Sequence, residues 1–380
     1  MKILIVTEGF FPGKKYGGPP VSVNNFCSLM SGSGCECYII TRNHDLGDRT
    51  KYDNILSGWN QRENCKVIYL YDDEYSMSCF EKYICEIKPD IIYLQSLFQV
   101  CVIPCLCIAK KYGIKTVLAP RGELCAGAFR KKYKKIPYIF VLRMIGLLKN
   151  IRFQSTSEEE TQAIKKYLGV KEEQIVFLSN IPSVPCRKIE TVENNEKKSG
   201  EAKFVFLSRI HPKKNLIHAI KCLNNVKGNV TFDIYGPLED KNYWDLCQSE
   251  INALPENIKV DYCGLVEHNE VHNVFSRYDA FLFPTLSENY GHVIIEALSV
   301  GCPVILSDKT PWNDLESAGA GFVCPLEDSV SFEKAMQKII NSDIRDLREN
   351  ALRYAGFKMR LDCLEEEYLS AFEKVLKSGV

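Results

Sequence analysis

The residues best suited to chemistry lie in residues 283–303, which read FPTLSENYGHVIIEALSVGCP. The two acids of this stretch, Glu288 and Glu296, stand eight positions apart. The pattern predicts a strand that ends before the first acid and a helix that carries the second, so the carboxylates would reach different parts of an extended ligand. Backbone amides at such a helix start suit a phosphate or sugar hydroxyl groups. The turn between the acids consists of Asn289, Tyr290, Gly291 and His292.

Acids near a helix start are also explained by capping and by the helix dipole. The stretch alone therefore leaves a binding role and a structural role equally open, and the rest of the chain has to decide between them.

Composition restricts the class of protein that could carry this site. The chain has 380 residues, enough for two domains, and its 48 basic and 48 acidic residues give zero net charge, so no global basic field recruits nucleic acid. No apolar run is long enough to span a bilayer or to form a signal peptide, so we expect a cytoplasmic location. The 17 cysteines are odd in number and lack paired Cys-x2-Cys spacing, so we expect them to be reduced.

Short β-rich runs alternate with helix-length segments along the whole chain, which predicts stacked βαβ units with parallel sheets. The predicted strands are Lys2–Thr7, Cys35–Thr41, Val67–Tyr71, Asp90–Gln95, Lys115–Pro120, Arg152–Thr156, Gln174–Ser179, Phe204–Ser208, Val230–Tyr235, Lys259–Cys263, Ala280–Pro284 and Pro303–Ser307. We therefore expect an α/β protein with two Rossmann-like, doubly wound domains whose strand ends line a shared cleft.

The predicted domains are residues 1–181 and 204–358, joined by a charged linker at 182–203. A final helix in 359–380 has one apolar face and either caps the second domain or crosses back to the first.

Three segments together resemble the retaining glycosyltransferases of family 4, which have the GT-B fold. The run from Glu288 to Glu296 is similar to their donor-binding signature, and FLSRIHPKKN at 206–215 looks like their segment for the nucleotide diphosphate. The resemblance implies a catalytic set of Glu288, Arg209 and Lys214. It implies donor contacts from Glu296, Asn289, Tyr290, Gly291 and His292, and from Gly17 and Gly18 of the N-terminal loop GFFPGKKYGGPP.

The expected substrates are a nucleotide-sugar donor and a glycan or lipid-linked glycan acceptor. The resemblance implies that no cofactor or metal is needed, and no Asp-x-Asp pair occurs in the chain. Many family members carry a histidine near the end of the strand at 90–95 or at 115–120, but this chain has none there. Arg121 and Glu123 are the polar groups left, and we expect them to face the acceptor or the sugar.

Residues 124–157 contain eight Lys or Arg residues and no acid. Residues 130–149 combine these charges with apolar side chains, which leaves two interpretations open. The segment contacts an anionic membrane from the cytoplasmic side, or its apolar part packs inside the first domain while the lysines are solvated.

The leading hypothesis is a hexosyltransferase of surface-polysaccharide biosynthesis. A nucleotide-sugar epimerase or hydrolase of the same fold would need an acid/base pair at the cleft. The presence of Glu288, Glu296, Arg209 and Lys214 together argues against a catalytically silent nucleotide-sugar-binding scaffold.

Overall fold

A computed structural model of the chain describes residues 1–125, 132–183 and 197–378. The chain divides into two compact units: unit 1 combines Met1–Ile181 with Leu361–Val380, and unit 2 is Pro182–Arg360. Most of the predicted linker, residues 184–196, lies outside the described residues, as do residues 130–131 of the basic segment. Within the described ranges, no helix has the length and apolar character needed to cross a bilayer.

An eight-stranded sheet forms the centre of unit 1. Its strands are β1 (Lys2–Val6), β2 (Glu36–Arg42), β3 (Trp59–Gln61), β4 (Lys66–Leu70), β5 (Ile91–Gln95), β6 (Lys115–Ala119), β7 (Arg152–Ser155) and β8 (Ile175–Phe177). They lie in the order β3-β4-β2-β1-β5-β6-β7-β8, and only β3 is antiparallel to its neighbour. The sequence prediction missed β3, a three-residue edge strand. The order reverses at β1, so the carboxyl ends of β1 and β5 border the place where such sheets bind ligands.

Helices cover both faces of this sheet, which is why its central strands are apolar on both sides. The helices are α1 (Gly18–Gly32), α2 (Met77–Ile87), α3 (Val102–Tyr112), α4 (Lys132–Met144) and α5 (Glu158–Leu168). Ile3 and Ile5 face one core and Leu4 and Val6 face the other, as the two-residue period of a strand requires.

Unit 2 is a second doubly wound domain, in which every strand pair is parallel. Its strands are β9 (Glu201–Leu207), β10 (Asn229–Tyr235), β11 (Ile258–Gly264), β12 (Ala280–Phe283), β13 (Val304–Ser307) and β14 (Gly321–Cys324). Its helices are α6 (Leu216–Leu223), α7 (Lys241–Ile251), α8 (Val271–Phe275), α9 (His292–Leu298), α10 (Ser329–Asn341) and α11 (Arg345–Met359). The sheet order is β11-β10-β9-β12-β13-β14, with its reversal between β9 and β12.

The start of β9 corrects the predicted linker. Residues 201–203 pair with β10 and belong to the sheet of unit 2, although their charged side chains suggested a solvated connection. Glu201 and Lys203 are exposed while Ala202 between them is buried, which is the alternation of a strand rather than of a linker. The strand β14 was also missed by the sequence prediction.

The last helix, α12 (Leu361–Lys377), belongs to unit 1. Tyr368 and Phe372 of this helix lie against Phe26 of α1, with ring centroids 5.9 and 5.3 Å away, and Phe372 also contacts Tyr93 of β5. The chain therefore returns to its first unit after completing the second.

A buried chain of hydrogen bonds fixes this return. Gln154 accepts from the hydroxyl group of Tyr93 and donates to that of Tyr368 at 2.9 Å. Tyr368 in turn donates to the carbonyl oxygen of Ser179 at 2.7 Å. The side chains of Tyr93, Gln154 and Tyr368 are essentially inaccessible to solvent. Their polar atoms therefore rely on these contacts, rather than on water, for hydrogen-bond partners.

Replacing Tyr368 with phenylalanine tests this chain. Tyr368→Phe is expected to lower the free energy of unfolding of unit 1 by about 1–2 kcal/mol, because a buried hydroxyl group that both donates and accepts is lost. Urea denaturation followed by far-UV circular dichroism measures the change. Tyr71→Phe, at a side chain that is 39% exposed, is the matched control, and an equal loss in both variants would contradict the prediction.

Candidate functional site

The topology of unit 2 brings two predicted site segments together. Arg209 and Lys214 follow β9, and Glu288 follows β12, which pairs directly with β9. Because the sheet order reverses between these two strands, the connections that follow them diverge to opposite faces and leave a crevice at their carboxyl ends. The predicted residues thus lie where a doubly wound sheet binds its ligand.

Lys214 and Glu288 form an ion pair, in which the ammonium group donates to Oε1 of the carboxylate. Their side chains are only 13% and 11% exposed, so solvent screens the pair weakly. Thr285 adds a hydroxyl donor to the same carboxylate oxygen at 3.3 Å. These contacts orient the carboxylate group of Glu288 and fix the position of the ammonium group of Lys214.

Backbone contacts join the two loops that carry this pair. The amide of Leu286 donates to the carbonyl oxygen of Lys213 at 2.9 Å, and Asn215 donates its side-chain amide to Pro284 at 3.0 Å. Asn215 adopts a left-handed conformation between a short 3-10 turn and α6, which an asparagine tolerates better than most residues.

Arg209 is directed towards the neighbouring strand instead. Its guanidinium group donates to Glu239, in the loop after β10, at 2.8 Å, and both side chains are about one-third exposed. The structure therefore brings Lys214 and Glu288 into contact and places Arg209 on the β10 side of the same sheet edge.

The turn before α9 needs a glycine at one position. Gly291 has a φ of +80°, and a Cβ atom there would lie 2.8 Å from the side chain of Ile294. The ring of Tyr290 packs between those of His292 and Trp312, and the indole of Trp312 donates to the carbonyl oxygen of Tyr290 at 2.5 Å. Asn289 is exposed beside this cluster.

Glu296 lies inside unit 2, with 4% of its surface exposed. Ser183 donates to its Oε1 at 3.0 Å. Burial raises the pKa of this carboxyl group from an ordinary 4.5 to about 7, and the hydrogen bond from Ser183 offsets part of that rise. Glu288 and Glu296 thus occupy different environments, one paired with a cation and the other in the protein interior.

This burial predicts a pH-dependent stability. Below pH 4.5 the carboxyl group is protonated in both the folded and the unfolded state, and the fold has its full stability. As the pH rises towards 7, the unfolded state loses this proton more readily than the folded state, so the free energy of unfolding falls by up to about 3 kcal/mol. Glu296→Gln removes the titration, so the melting temperature of unit 2 is expected to fall less with pH than in the wild type. Differential scanning calorimetry from pH 4.5 to 7.5 measures this. Glu316→Gln, at the surface of the same unit, is expected to keep the wild-type fall; identical slopes in all three proteins would refute the prediction.

The predicted glycine loop lies in unit 1, between β1 and α1. Gly17 has a φ of +74° and directly precedes α1, whose first residue is Gly18. Asp45, which the sequence analysis did not single out, holds this loop by accepting from the backbone amides of Lys14 and Lys15 at 2.8 and 2.9 Å. No local pattern links Asp45 to a loop 30 residues earlier.

Arg121 sits in a left-handed turn after β6, and its guanidinium group is held within unit 1. It donates to Gln95 at 2.8 Å, to Asn180 at 2.9 Å and to the hydroxyl group of Tyr93 at 3.1 Å. Nε2 of Gln95 is buried and has no hydrogen-bond partner among the described residues. The predicted contact of Arg121 with an acceptor stays a prediction.

Glu123 joins the same loop to the end of β5. It accepts from the hydroxyl group of Ser96 and from the amide of Leu97, and burial raises the pKa of its carboxyl group. Glu160, also not singled out, is fully buried and accepts from the amide of Gly122 at 2.5 Å and from Thr156. The pattern Ser157-x-x-Glu160 signals a helix start in the sequence, but not this cross-loop contact.

Metal binding has no candidate cluster here: in the described ranges, no group of three or more His, Cys, Asp or Glu side chains is arranged to hold an ion.

Comparisons with known proteins bear on the family and the fold of the chain. Residues 188–358 match the family model described as glycosyl transferases group 1. The chain is 27% identical over 221 residues to the GtfA subunit of the Streptococcus agalactiae UDP-N-acetylglucosamine–peptide N-acetylglucosaminyltransferase, a match that covers 54% of this chain and 41% of that protein. It is 25% identical over 230 residues to the O-antigen chain mannosyltransferase RfbU of Salmonella typhimurium, with 60% of each chain covered.

Solved structures extend the likeness to the whole chain. The Anabaena protein HepE, solved in complex with UDP and glucose, superposes with a TM-score of 0.71 at 15% identity, covering 98% of this chain and all of that one. The chain spans about four-tenths of the length of the GtfA subunit. The second part of the chain, residues 188–358, is therefore similar to the glycosyl transferases group 1 family, and the chain has the fold of the GT-B glycosyltransferases.

Proposed function

We propose that the protein is a glycosyltransferase that moves a hexosyl-type sugar from a nucleotide-diphosphate sugar to a hydroxyl group of a glycan or lipid-linked glycan, with retention at the anomeric carbon. The observation that carries the proposal is the ion pair of Lys214 and Glu288 at the reversal point of the unit 2 sheet. The proposed setting is surface-polysaccharide assembly on the cytoplasmic side of the membrane, in keeping with the name of the O-antigen mannosyltransferase among its relatives.

The ion pair suggests how the donor is held. A diphosphate is a stronger partner for the ammonium group of Lys214 than one carboxylate, so donor binding would draw Lys214 away from Glu288. The released carboxylate can then accept hydrogen bonds from hydroxyl groups of the sugar. Arg209 and Lys214 together offset the charge of the diphosphate, so the proposal needs no metal ion or other cofactor.

Rate enhancement in this proposal comes from positioning and charge. The bond between the anomeric carbon and the diphosphate breaks, and the acceptor oxygen forms the new bond and gives its proton to the departing nucleotide diphosphate, which the cations stabilise. Glu288 orients the sugar and is not assigned as a covalent nucleophile. The remaining donor contacts are proposed for Glu296, the turn at 289–292, and Gly17 with Gly18, and acceptor-side contacts for Arg121 and Glu123.

Thermal stability against a panel of nucleotide sugars tests the proposal directly. UDP-, GDP-, ADP- and dTDP-sugars are added to the purified chain in the presence of EDTA, and a donor at 100 times its dissociation constant should stabilise the fold by about 2.7 kcal/mol. A rise in melting temperature with one nucleotide class would identify the donor. The absence of a shift with every nucleotide, with or without added divalent metal, would contradict the proposed donor site.

Two substitutions separate the proposed roles of the ion pair. Lys214→Met is expected to weaken binding of the free nucleotide diphosphate and of the nucleotide sugar alike, by about 10- to 100-fold, since a charge-assisted contact is lost. Glu288→Gln is expected to weaken the nucleotide sugar relative to the free diphosphate and to lower turnover. Isothermal titration calorimetry measures the two affinities of each variant, and a transfer assay measures turnover.

Lys221→Met is the charge-matched control for these variants. Lys221 is 57% exposed and pairs with Glu250 on α7, so its loss should leave both affinities unchanged. Product analysis distinguishes the two alternatives: free sugar or an epimerised donor without acceptor would favour a hydrolase or epimerase, and binding without any turnover would favour a silent scaffold.

A further inference from the structure

A cavity of about 430 Å³ lies at the edge of the unit 1 sheet where β6, β7 and β8 begin. These three strands are parallel neighbours, so their first residues meet at one edge of the sheet. Arg121 and Glu123 follow the end of β6 and therefore belong to the opposite edge. The end of α12 contributes Val375 and Ser378 to the wall of the cavity. A cavity of this volume can hold a small molecule.

The wall of this cavity carries an excess of positive charge, although the chain as a whole has zero net charge. Its charged residues are Lys115, Lys149, Arg152, Lys171 and Glu173. The one acid among them, Glu173, pairs with Lys171 at 3.4 Å. The side chains of Glu173 and Lys171 are 72% and 79% exposed, so water screens this pair strongly. The other three cations are left without an acid in the wall.

The charges of these three cations are not neutralised by the described part of the chain. The side chains of Lys149 and Arg152 form neither an ion pair nor a hydrogen bond with any described residue. Lys115 donates its ammonium group to the carbonyl oxygen of Ser378 at 2.7 Å, and this neutral partner leaves the charge in place. Like charges gathered around one cavity repel each other, and an anion that binds between them relieves the repulsion.

The side chain of Gln174 fixes the two loops that carry Lys149 and Lys171. Its Nε2 donates to the carbonyl oxygens of Leu148, Lys149 and Ile151 at 3.0, 3.1 and 3.3 Å. Its Oε1 accepts from the backbone amide of Lys171 at 3.2 Å. Because these contacts already order both loops, a ligand that binds in the cavity does not have to order them, which lowers the entropic cost of binding.

We propose that this cavity binds a small soluble compound with two or more phosphate groups. Phosphate oxygens accept charge-assisted hydrogen bonds from ammonium groups, and the guanidinium group of Arg152 can bind two oxygens at once. Among the described residues of the wall, Val375 is the one apolar side chain and none is aromatic, so the cavity offers no surface for an acyl chain or a stacked base. The inference goes beyond the proposed glycosyl transfer and does not rest on it, because the ion pair of Lys214 and Glu288 belongs to unit 2.

Isothermal titration calorimetry with tripolyphosphate and with inorganic phosphate tests the cavity without any nucleotide sugar or acceptor. The titrations use the full-length chain with the substitution Lys214→Met, which weakens the proposed diphosphate contact in unit 2. We expect tripolyphosphate to bind at least about tenfold more tightly than inorganic phosphate, and to bind more weakly as sodium chloride is added. The double variant Lys149→Gln with Arg152→Gln, in the same background, is expected to bind tripolyphosphate at least about tenfold more weakly, since two charge-assisted contacts are lost.

Lys82→Gln with Lys110→Gln is the matched control, because it removes two exposed cations of the same unit, on α2 and α3, that do not line the cavity. It should bind tripolyphosphate as the Lys214→Met chain does. Lys171→Gln alters a side chain that is 79% exposed, so it is expected to keep the fold and to weaken binding by about two- to fivefold. Melting temperatures show whether each variant is folded. Nucleotide sugars titrated into the chain with Lys214 intact measure the donor site separately, so failure of the cavity and failure of the proposed function can be told apart.

Three results would overturn the inference. The first is that tripolyphosphate does not bind to the Lys214→Met chain. The second is that neither the double variant nor Lys171→Gln changes the affinity for tripolyphosphate. The third is an equal loss of affinity in the Lys82→Gln and Lys110→Gln control, because binding would then follow the net charge of the unit rather than the cavity.

Discussion

The pairing of β9 with β10 on one side and β12 on the other sets the geometry on which unit 2 depends. Parallel pairing aligns the carboxyl ends of all three strands at one edge, and the reversal of order sends their connections to opposite faces of the sheet. Lys214 and Glu288 are 74 residues apart in the chain, and this pairing brings them together. The buried carboxyl group of Glu296 belongs to α9, the helix that begins directly after Gly291.

Unit 1 repeats the reversal, at β1 and β5, but fills the sheet edge differently. Its polar side chains there are engaged with one another: Arg121 binds Gln95, and Glu123 binds the start of the loop after β5. Glu160 holds the loop after β6, where its fully buried carboxylate accepts from the amide of Gly122. This edge is therefore a hydrogen-bonded polar framework, whereas at the edge of unit 2 a cation and a carboxylate are paired with each other.

The predicted α/β class and the predicted strands agree with the structure, because parallel strands buried on both faces read as short apolar runs. The strands β3 and β14 were missed because each is short and contains a residue type that strands disfavour, Asn60 in β3 and Gly321 in β14. For the site, the spacing of acids and cations indicated which segments matter. It could not show that Lys214 pairs with Glu288, that Arg121 is held by residues up to 59 positions away, or that Asp45 fixes the glycine loop. Such contacts are set by the fold rather than by local sequence.

The position of α12 has a consequence for biosynthesis. Phe26 and Tyr93 are translated before unit 2, but the aromatic side chains that cover them, Tyr368 and Phe372, are translated after it. The aromatic side chains of unit 1 that α12 covers therefore stay exposed while the whole of unit 2 is synthesised. During that interval the nascent chain presents a surface that chaperones can bind, and the second unit can reach its native state before the first is complete.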